Sequence, residues 1–179
     1  MSEFLSDVSD LRKKARAHID QGPITDAYGA DRDRVIAVLN EALATELVCV
    51  LRYKRHFYMA EGIDSAPVAA EFLQHATEEQ GHADLIAARI VQLQGAPDFN
   101  PETLTARSHA EYAPGTDLLD MVKEDLVAER VAIASYSEII AWLGSGDTTT
   151  RRMLEDILAV EEEHADDLLN FLKVLKPAG

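Results

Sequence analysis

Apolar residues recur at three- and four-residue steps through four long blocks of the chain, and clusters of glycine and proline separate the blocks. Over 31–61 the stripe is Val35, Leu39, Leu43, Val50, Tyr53 and Phe57, with one charged residue, Glu46, set in it. Gly62 ends this block, and Ser65-Ala66-Pro67 reads as an N-cap followed by a first-turn proline, opening a second helix over 65–94. Its stripe of Val68, Phe72, Ala76, Ala83, Ile86, Ile90 and Leu93 is interrupted by Glu79 and His82. A third helix, capped by Thr116 and ended by Gly144-Ser145-Gly146, carries Leu119, Val122, Leu126, Ile133, Tyr136, Ile140 and Leu143 around Glu129. A fourth, capped by Asp147 and stopped by Lys176-Pro177, carries Leu154, Ile157, Leu168, Phe171 and Leu175 around Glu161 and His164. A shorter block of mixed charge over 3–20, stopped by Gly22-Pro23, predicts an N-terminal arm helix.

The connections after the first and third long helices are tight. The segment 95–115 between the second and third is not: it holds three prolines and no sustained period, with room for a short helical turn after Asn100. A helix of about 28 residues is about 42 Å long, and an extended segment of about 20 residues can return along that whole length. The pattern predicts an all-α fold in which 31–179 form a four-helix bundle with one long crossover between its second and third helices, as opposed to simple up-down-up-down. An arm helix and linker occupy 1–30.

Composition narrows the chemistry. Aromatic residues are 6% of the 179, which suits closely packed helices, and 17 Lys+Arg against 32 Asp+Glu give a net charge of −15. That balance disfavours a nucleic-acid coat and favours drawing cations inward. The single cysteine, Cys49, excludes a disulfide framework, a Cys-based zinc site and an iron–sulfur cluster within one chain. Any metal must be held by oxygen and imidazole. No run approaches the roughly 18 apolar residues of a membrane span, and the N-terminal segment lacks the apolar core of a secretory signal. The expectation is a cytoplasmic protein.

Glu79-Glu-Gln-Gly-His82 and Glu161-Glu-Glu-His164 each put a carboxylate and an imidazole at i and i+3, adjacent on one helix face. In an antiparallel hairpin, residues equally far from the turn lie opposite each other. Glu46 is 15 residues before position 61 and Glu79 is 14 after Ser65, while Glu129 is 14 before Leu143 and Glu161 is 14 after Asp147. All four carboxylates therefore fall at one level near mid-bundle. The halves also repeat: Glu46 and Glu79 are 33 residues apart, Glu129 and Glu161 are 32 apart, and Tyr53 and Tyr136 each follow their glutamate by seven, as in a duplicated hairpin. Buried carboxylates without compensation are prohibitive, at several kcal/mol each. The bland alternative is a metal-free bundle with these acids paired to Lys or Arg, but the stripes contain no such partner. Two divalent cations would neutralise the cluster, iron(II) or manganese(II) suiting oxygen and imidazole, with zinc as a further occupant.

With these residues the chain resembles the ferritin-like superfamily, and within it bacterioferritins and the bacterioferritin-like branch of DNA-protecting starvation (Dps-like) proteins. The resemblance covers about residues 31–175 and implies a ferritin-like fold and a dinuclear ferroxidase centre with two iron ions per chain. Glu46 and Glu129 would be terminal carboxylates, Glu79 and Glu161 the bridging pair, and His82 and His164 terminal imidazoles. Such sites oxidise Fe(II) with O2 or H2O2 and pass Fe(III) to a mineral core inside a homo-oligomeric shell, for iron storage and detoxification. Tyr53 is expected beside a ligand glutamate, and His75 and Asp125 are expected as neighbours of ligands and not ligands themselves. Cys49 and Trp142 read as packing residues, and His56 and His109 have no partner pattern.

The chain departs from bacterioferritins in three ways. The haem-binding methionine that follows the first ExxH glutamate in that family is here Gln80, so no haem is expected. Only Pro177-Ala178-Gly179 follow the fourth helix while a helix is added at the N-terminus, which favours a 12-subunit over a 24-subunit shell. A thiol pair found in some Dps-like relatives cannot form with Cys49 alone. The alternative function is a non-storing di-iron or di-manganese peroxidase or catalase-like oxidoreductase; a rubrerythrin would need a Cys-ligated iron domain. A DNA-coating shell is the third reading, resting on Arg12-Lys13-Lys14 and Arg16, but Glu3, Asp7, Asp10 and Asp20 flank that cluster and a solvated helix face accounts for it.

Overall fold

The computed structural model describes residues 7–63 and 65–175. In chain order the helices are α1 (Val8–Ala17), α2 (Arg32–Met59), α3 (Ser65–Gln92), the short α4 (Leu104–Arg107), α5 (Leu118–Leu143) and α6 (Thr148–Leu175), with a single 3-10 turn at Ile19–Gln21. Among the described residues there is no strand, and no helix is long and apolar enough to cross a membrane. The helix α2 packs along α3, and α5 along α6, to make two antiparallel hairpins that face each other. Residues 93–117, with α4 in their midst, form the crossover, and α4 lies against α2. The predicted arm helix is present from Val8, with no buried residue. Its predicted start at residue 3 and the Lys176-Pro177 stop lie outside the described residues.

Aspartates open four of these helices by accepting hydrogen bonds from first-turn amides that have no partner within the helix. Asp7 caps α1, Asp31 accepts from Arg34 N at 3.1 Å, Asp117 from Asp120 N at 2.9 Å, and Asp147 from Thr150 N at 2.9 Å. The cap of α5 is thus Asp117 and not Thr116; the Thr116 amide and hydroxyl instead donate to Asp120 Oδ2, both at 3.0 Å, which closes the turn from the outside. Ser65 is the first residue of α3 itself, its hydroxyl donating to Gly62 O at 2.8 Å. Gly144 ends α5 at φ +50°, a conformation open to glycine at little cost.

The buried stripes of α2, α3 and α6 follow the predicted periodicity. That of α5 follows it in part: the expected Val122, Glu129, Tyr136 and Leu143 are buried, with Met121, Ala128, Ala132 and Ile139 beside them, while Leu119, Leu126, Ile133 and Ile140 are only half-buried. Alanine lets neighbouring helices approach, and the larger residues then pack at the flanks. The apolar core falls into two clusters. One holds Leu39, Leu43, Ile86, Ile90, Leu154 and Ile157, and the other holds Tyr53, Phe72, Ala76, Val122 and Leu168. Between them lies a layer of carboxylates and imidazoles.

Polar ties sew the crossover onto the bundle. Asn40 on α2 accepts from Asp98 N at 2.7 Å, Arg107 Nη1 donates to Asn40 O at 2.9 Å, and His109 N donates to Thr45 Oγ1 at 2.9 Å. Deeper, the fully buried Asp125 of α5 accepts from Arg52 Nε at 2.7 Å and pairs with His56 Nδ1 at 2.8 Å. The other ends of those two side chains reach crossover carbonyls: Arg52 Nη1 donates to Glu111 O at 3.0 Å, and His56 Nε2 lies 3.1 Å from Ala113 O. At the opposite end Arg89 Nη2 meets Asp147 at 2.9 Å and its Nε donates to Thr150 Oγ1 at 2.8 Å. Removing one member of a buried pair strands the others, at about 3–5 kcal/mol. Asp125→Ala is therefore expected to destabilise the protein by about that amount in chemical denaturation, whereas loss of the exposed Arg152–Asp156 pair, 3.9 Å apart, in Asp156→Ala is expected to cost under about 1 kcal/mol.

Candidate dinuclear metal centre

Each hairpin brings one glutamate from its first helix and a Glu/His pair from its second. Glu46 comes from α2, Glu79 and His82 from α3, Glu129 from α5, and Glu161 and His164 from α6. The four carboxylates are each no more than 1% exposed. Among the described residues none of them pairs with a lysine or arginine; the two buried arginines, Arg52 and Arg89, are engaged by Asp125 and Asp147. The six side chains form two overlapping groups, Glu46, Glu79, His82, Glu161 and Glu79, Glu129, Glu161, His164, in each of which one donor atom per residue lies within 4.8 Å of the rest. Glu79 and Glu161 belong to both.

The ring nitrogens facing this layer are Nδ1 in both histidines. His82 Nδ1 lies 2.9 Å from Glu161, 3.4 Å from Glu79 and 3.5 Å from Glu46, and His164 Nδ1 lies 3.7 Å from Glu79 and 3.8 Å from Glu161. None of these contacts has the geometry of a hydrogen bond, so Glu46 Oε2, Glu79 Oε1, Glu129 Oε2, both oxygens of Glu161 and Nδ1 of both histidines are buried without a partner. Buried polar atoms are almost always paired, and leaving one unpaired costs about 1–3 kcal/mol. Orphans concentrated in one layer, all aimed at each other, describe a cage for cations.

Its walls are held from behind. Tyr136 donates to Glu46 Oε1 and Tyr53 donates to Glu129 Oε1, so each tyrosine grips the carboxylate of the opposite hairpin and leaves that carboxylate's second oxygen facing the cage. His164 Nε2 is 2.8 Å from Glu78 Oε2, which turns its Nδ1 inward. His75 stacks on His164 with ring centroids 3.9 Å apart, and its Nδ1 is 3.2 Å from Tyr53 Oη. Asp125, one turn before Glu129, belongs instead to the Arg52–His56 cluster. Cys49 is buried, Trp142 is half exposed, and His109 sits at the surface near Glu41 and Ser135.

Without cations the layer is neutralised by protons. Burial, then the Glu79 charge, raises Glu46 to about 8, and burial with the Glu79 and Glu161 charges raises Glu129 well above the carboxylate range. Burial disfavours imidazolium at His82, but Glu161, Glu46 and Glu79 outweigh it and hold its pKa at about 12; Glu161 and Glu79 do the same for His164, at about 10. Two residues carried no signal that sequence reading used. Arg52 and His56 sit beside the α2 stripe as single polar residues, and only the position of Asp125 on α5 gives them a partner.

Residues 36–177 match the ferritin-like domain family. The bacterioferritin of Rhodobacter capsulatus is 33% identical over 136 residues, 75% of this chain and 80% of that protein. Its solved structure, described as having a metal-free dinuclear site and heme iron, superposes with a TM-score of 0.69 at 29% identity, over 79% of this chain and 85% of that one. The bacterioferritin-related protein of Bacteroides fragilis, described as a dodecameric thioferritin, superposes with a TM-score of 0.79 at 31% identity over 93% of this chain and 94% of that one. A Dps from Thermosynechococcus elongatus shares the fold, with a TM-score of 0.75 at 20% identity over 78% of this chain and 90% of that one.

Tyr136→Phe leaves Glu46 Oε1 without its donor and is expected to weaken Co(II) binding to the layer by about 10–100-fold. Phenylalanine in place of the exposed Tyr58 is expected to leave it unchanged, both read by anaerobic Co(II) titration.

Proposed function

The chain belongs to the ferritin-like family, and from that premise we propose that it is an iron-storing ferroxidase: Fe(II) is taken between the four helices, oxidised by O2 or H2O2, and passed as Fe(III) to a mineral held within a shell of many copies. The observation that carries this reading is the set of buried, unpartnered atoms, at least one on each of Glu46, Glu79, His82, Glu129, Glu161 and His164. A donor set of carboxylate and imidazole with no thiol suits iron, and admits manganese or zinc.

Glu46 and His82 would hold one ion and Glu129 and His164 the other, with Glu79 and Glu161, common to both groups, bridging them. A pair of iron(II) ions bound there supplies two electrons, enough to take one peroxide to water or to begin the reduction of dioxygen. The protein's share is positioning. Tyr136 and Tyr53 fix which oxygen of Glu46 and Glu129 faces inward, and Glu78 orients His164. The apolar clusters above and below the layer keep bulk water out. Protons held by Glu46, Glu129 and the two imidazoles leave as cations arrive, so the buried layer stays near neutrality.

Haem is no part of this reading, because the position after Glu79 is Gln80, whose amide donates to Asp84 at 3.0 Å and offers no thioether. A 12-subunit shell is favoured over 24, on the near end-to-end match to the dodecameric Bacteroides fragilis protein and the added α1. The net charge of −15 argues against DNA as a partner. A cytoplasmic location completes the reading, supported by the lone Cys49.

The test is Fe(II) loading of the apo-protein under air and with H2O2, followed by size-exclusion chromatography with iron quantified in the protein peak. Iron far above two per chain on a large particle is expected. Two or fewer on a small oligomer would favour the non-storing peroxidase or catalase-like alternative. Glu161→Ala, which removes a carboxylate shared by both groups, is expected to slow initial Fe(II) oxidation by at least about tenfold.

A further inference from the structure

One imidazole near the centre has a nitrogen the ferroxidase reading does not use. His75 of α3 is 0% exposed, and its two ring nitrogens point in different directions. Nδ1 lies 3.2 Å from Tyr53 Oη, on the side of the dinuclear layer. Nε2 points the other way, is buried, and has no hydrogen-bond partner. Its nearest anion is Glu71 Oε1, one helical turn back, at 3.3 Å but outside hydrogen-bond geometry. Asp167 of α6 closes the group: one donor atom from each of Glu71, His75 and Asp167 lies within 4.8 Å of the others. Glu71 and Asp167 are half-buried, so the group reaches solvent on their side while His75 closes it within.

Two carboxylates and an unused imidazole nitrogen are the donor types that hold a divalent first-row cation. The alternative, an imidazole N–H donating to Glu71, is the contact the geometry fails to make. We propose that Glu71, His75 and Asp167 form a third divalent-cation site on the flank of the dinuclear centre, a station for Fe(II) separate from the two central positions. The His75 ring is stacked on His164, with centroids 3.9 Å apart, so an ion on Nε2 is one imidazole away from the central layer. The assignment to Fe(II) rests on the ferroxidase reading; the existence of a cation site does not.

Co(II) is the probe, with the full-length assembled protein held under anaerobic conditions. Crystals soaked in Co(II) are expected to show three anomalous peaks per chain, two in the central layer and one within bonding distance of His75 Nε2. In solution the stoichiometry is expected to fall from three ions per chain to two in the double variant E71Q/D167N, which keeps side-chain size and leaves His75 untouched. Should that variant fail to assemble, D167N alone is expected to weaken the third ion by at least tenfold. Two filled central positions with no third peak, or equal stoichiometry in native protein and variant, would overturn the inference while sparing the ferroxidase reading. A filled third site beside an empty central layer would support the inference and overturn that reading.

Discussion

Four carboxylates buried at one level of an apolar bundle are the constraint from which the rest of this structure follows. In water each would be solvated at no cost; between helices each must find positive charge, hydrogen-bond donors or protons. The bundle supplies donors on one side only, Tyr136 to Glu46 and Tyr53 to Glu129, and leaves the inward oxygens unpaired. The arginines that might have neutralised the layer are committed elsewhere, Arg52 to Asp125 and Arg89 to Asp147. Cation affinity is thus an outcome of what the fold withholds from the carboxylates as much as of what it places there.

The two hairpins contribute nearly equivalent halves. Each offers a glutamate that belongs to one of the two groups, a histidine and a glutamate common to both, and each reaches across with a tyrosine to steady the carboxylate of the other hairpin's first glutamate. The equivalence stops at the surroundings. His164 is backed by Glu78 and stacked closely on His75, at 3.9 Å between centroids, whereas the ring beside His82 is that of His164, at 6.3 Å, and no side chain among the described residues hydrogen-bonds the outer nitrogen of His82. Two positions built from the same residue types therefore sit in different electrostatic settings, and the side near His75 is the one that opens toward further acids, Glu71 and Asp167.

Much of this was legible in the residues. The i, i+3 spacing of Glu79 with His82 and of Glu161 with His164, and the equal distance of all four glutamates from their turns, depend only on helix geometry, so the six side chains meet where the arithmetic puts them. What escaped reading depends on how helices rotate and which loop covers them. Arg52, His56 and Asp125 look unrelated along the chain because their partnership crosses from α2 to α5 and ends on crossover carbonyls. Four of the apolar positions expected in the α5 stripe, Leu119, Leu126, Ile133 and Ile140, lie at its flank because alanines at 128 and 132 mark the close approach and the larger residues beside them do not. Tyr136 follows Glu129 by the same seven residues as Tyr53 follows Glu46, and its bond to Glu46 shows how fully the duplication is kept.

The crosswise tyrosine bonds also bear on how the halves find each other. Apolar faces of two helical hairpins are permissive, since leucine and isoleucine pack acceptably in several alignments. A slide of one helical turn, about 5.4 Å, would preserve much of that apolar contact but would pull Tyr53 from Glu129 and Tyr136 from Glu46 together, burying two hydroxyls and two carboxylates without mates. The polar layer thus works as a register key: it contributes little cohesion of its own, and it makes every alignment but one expensive.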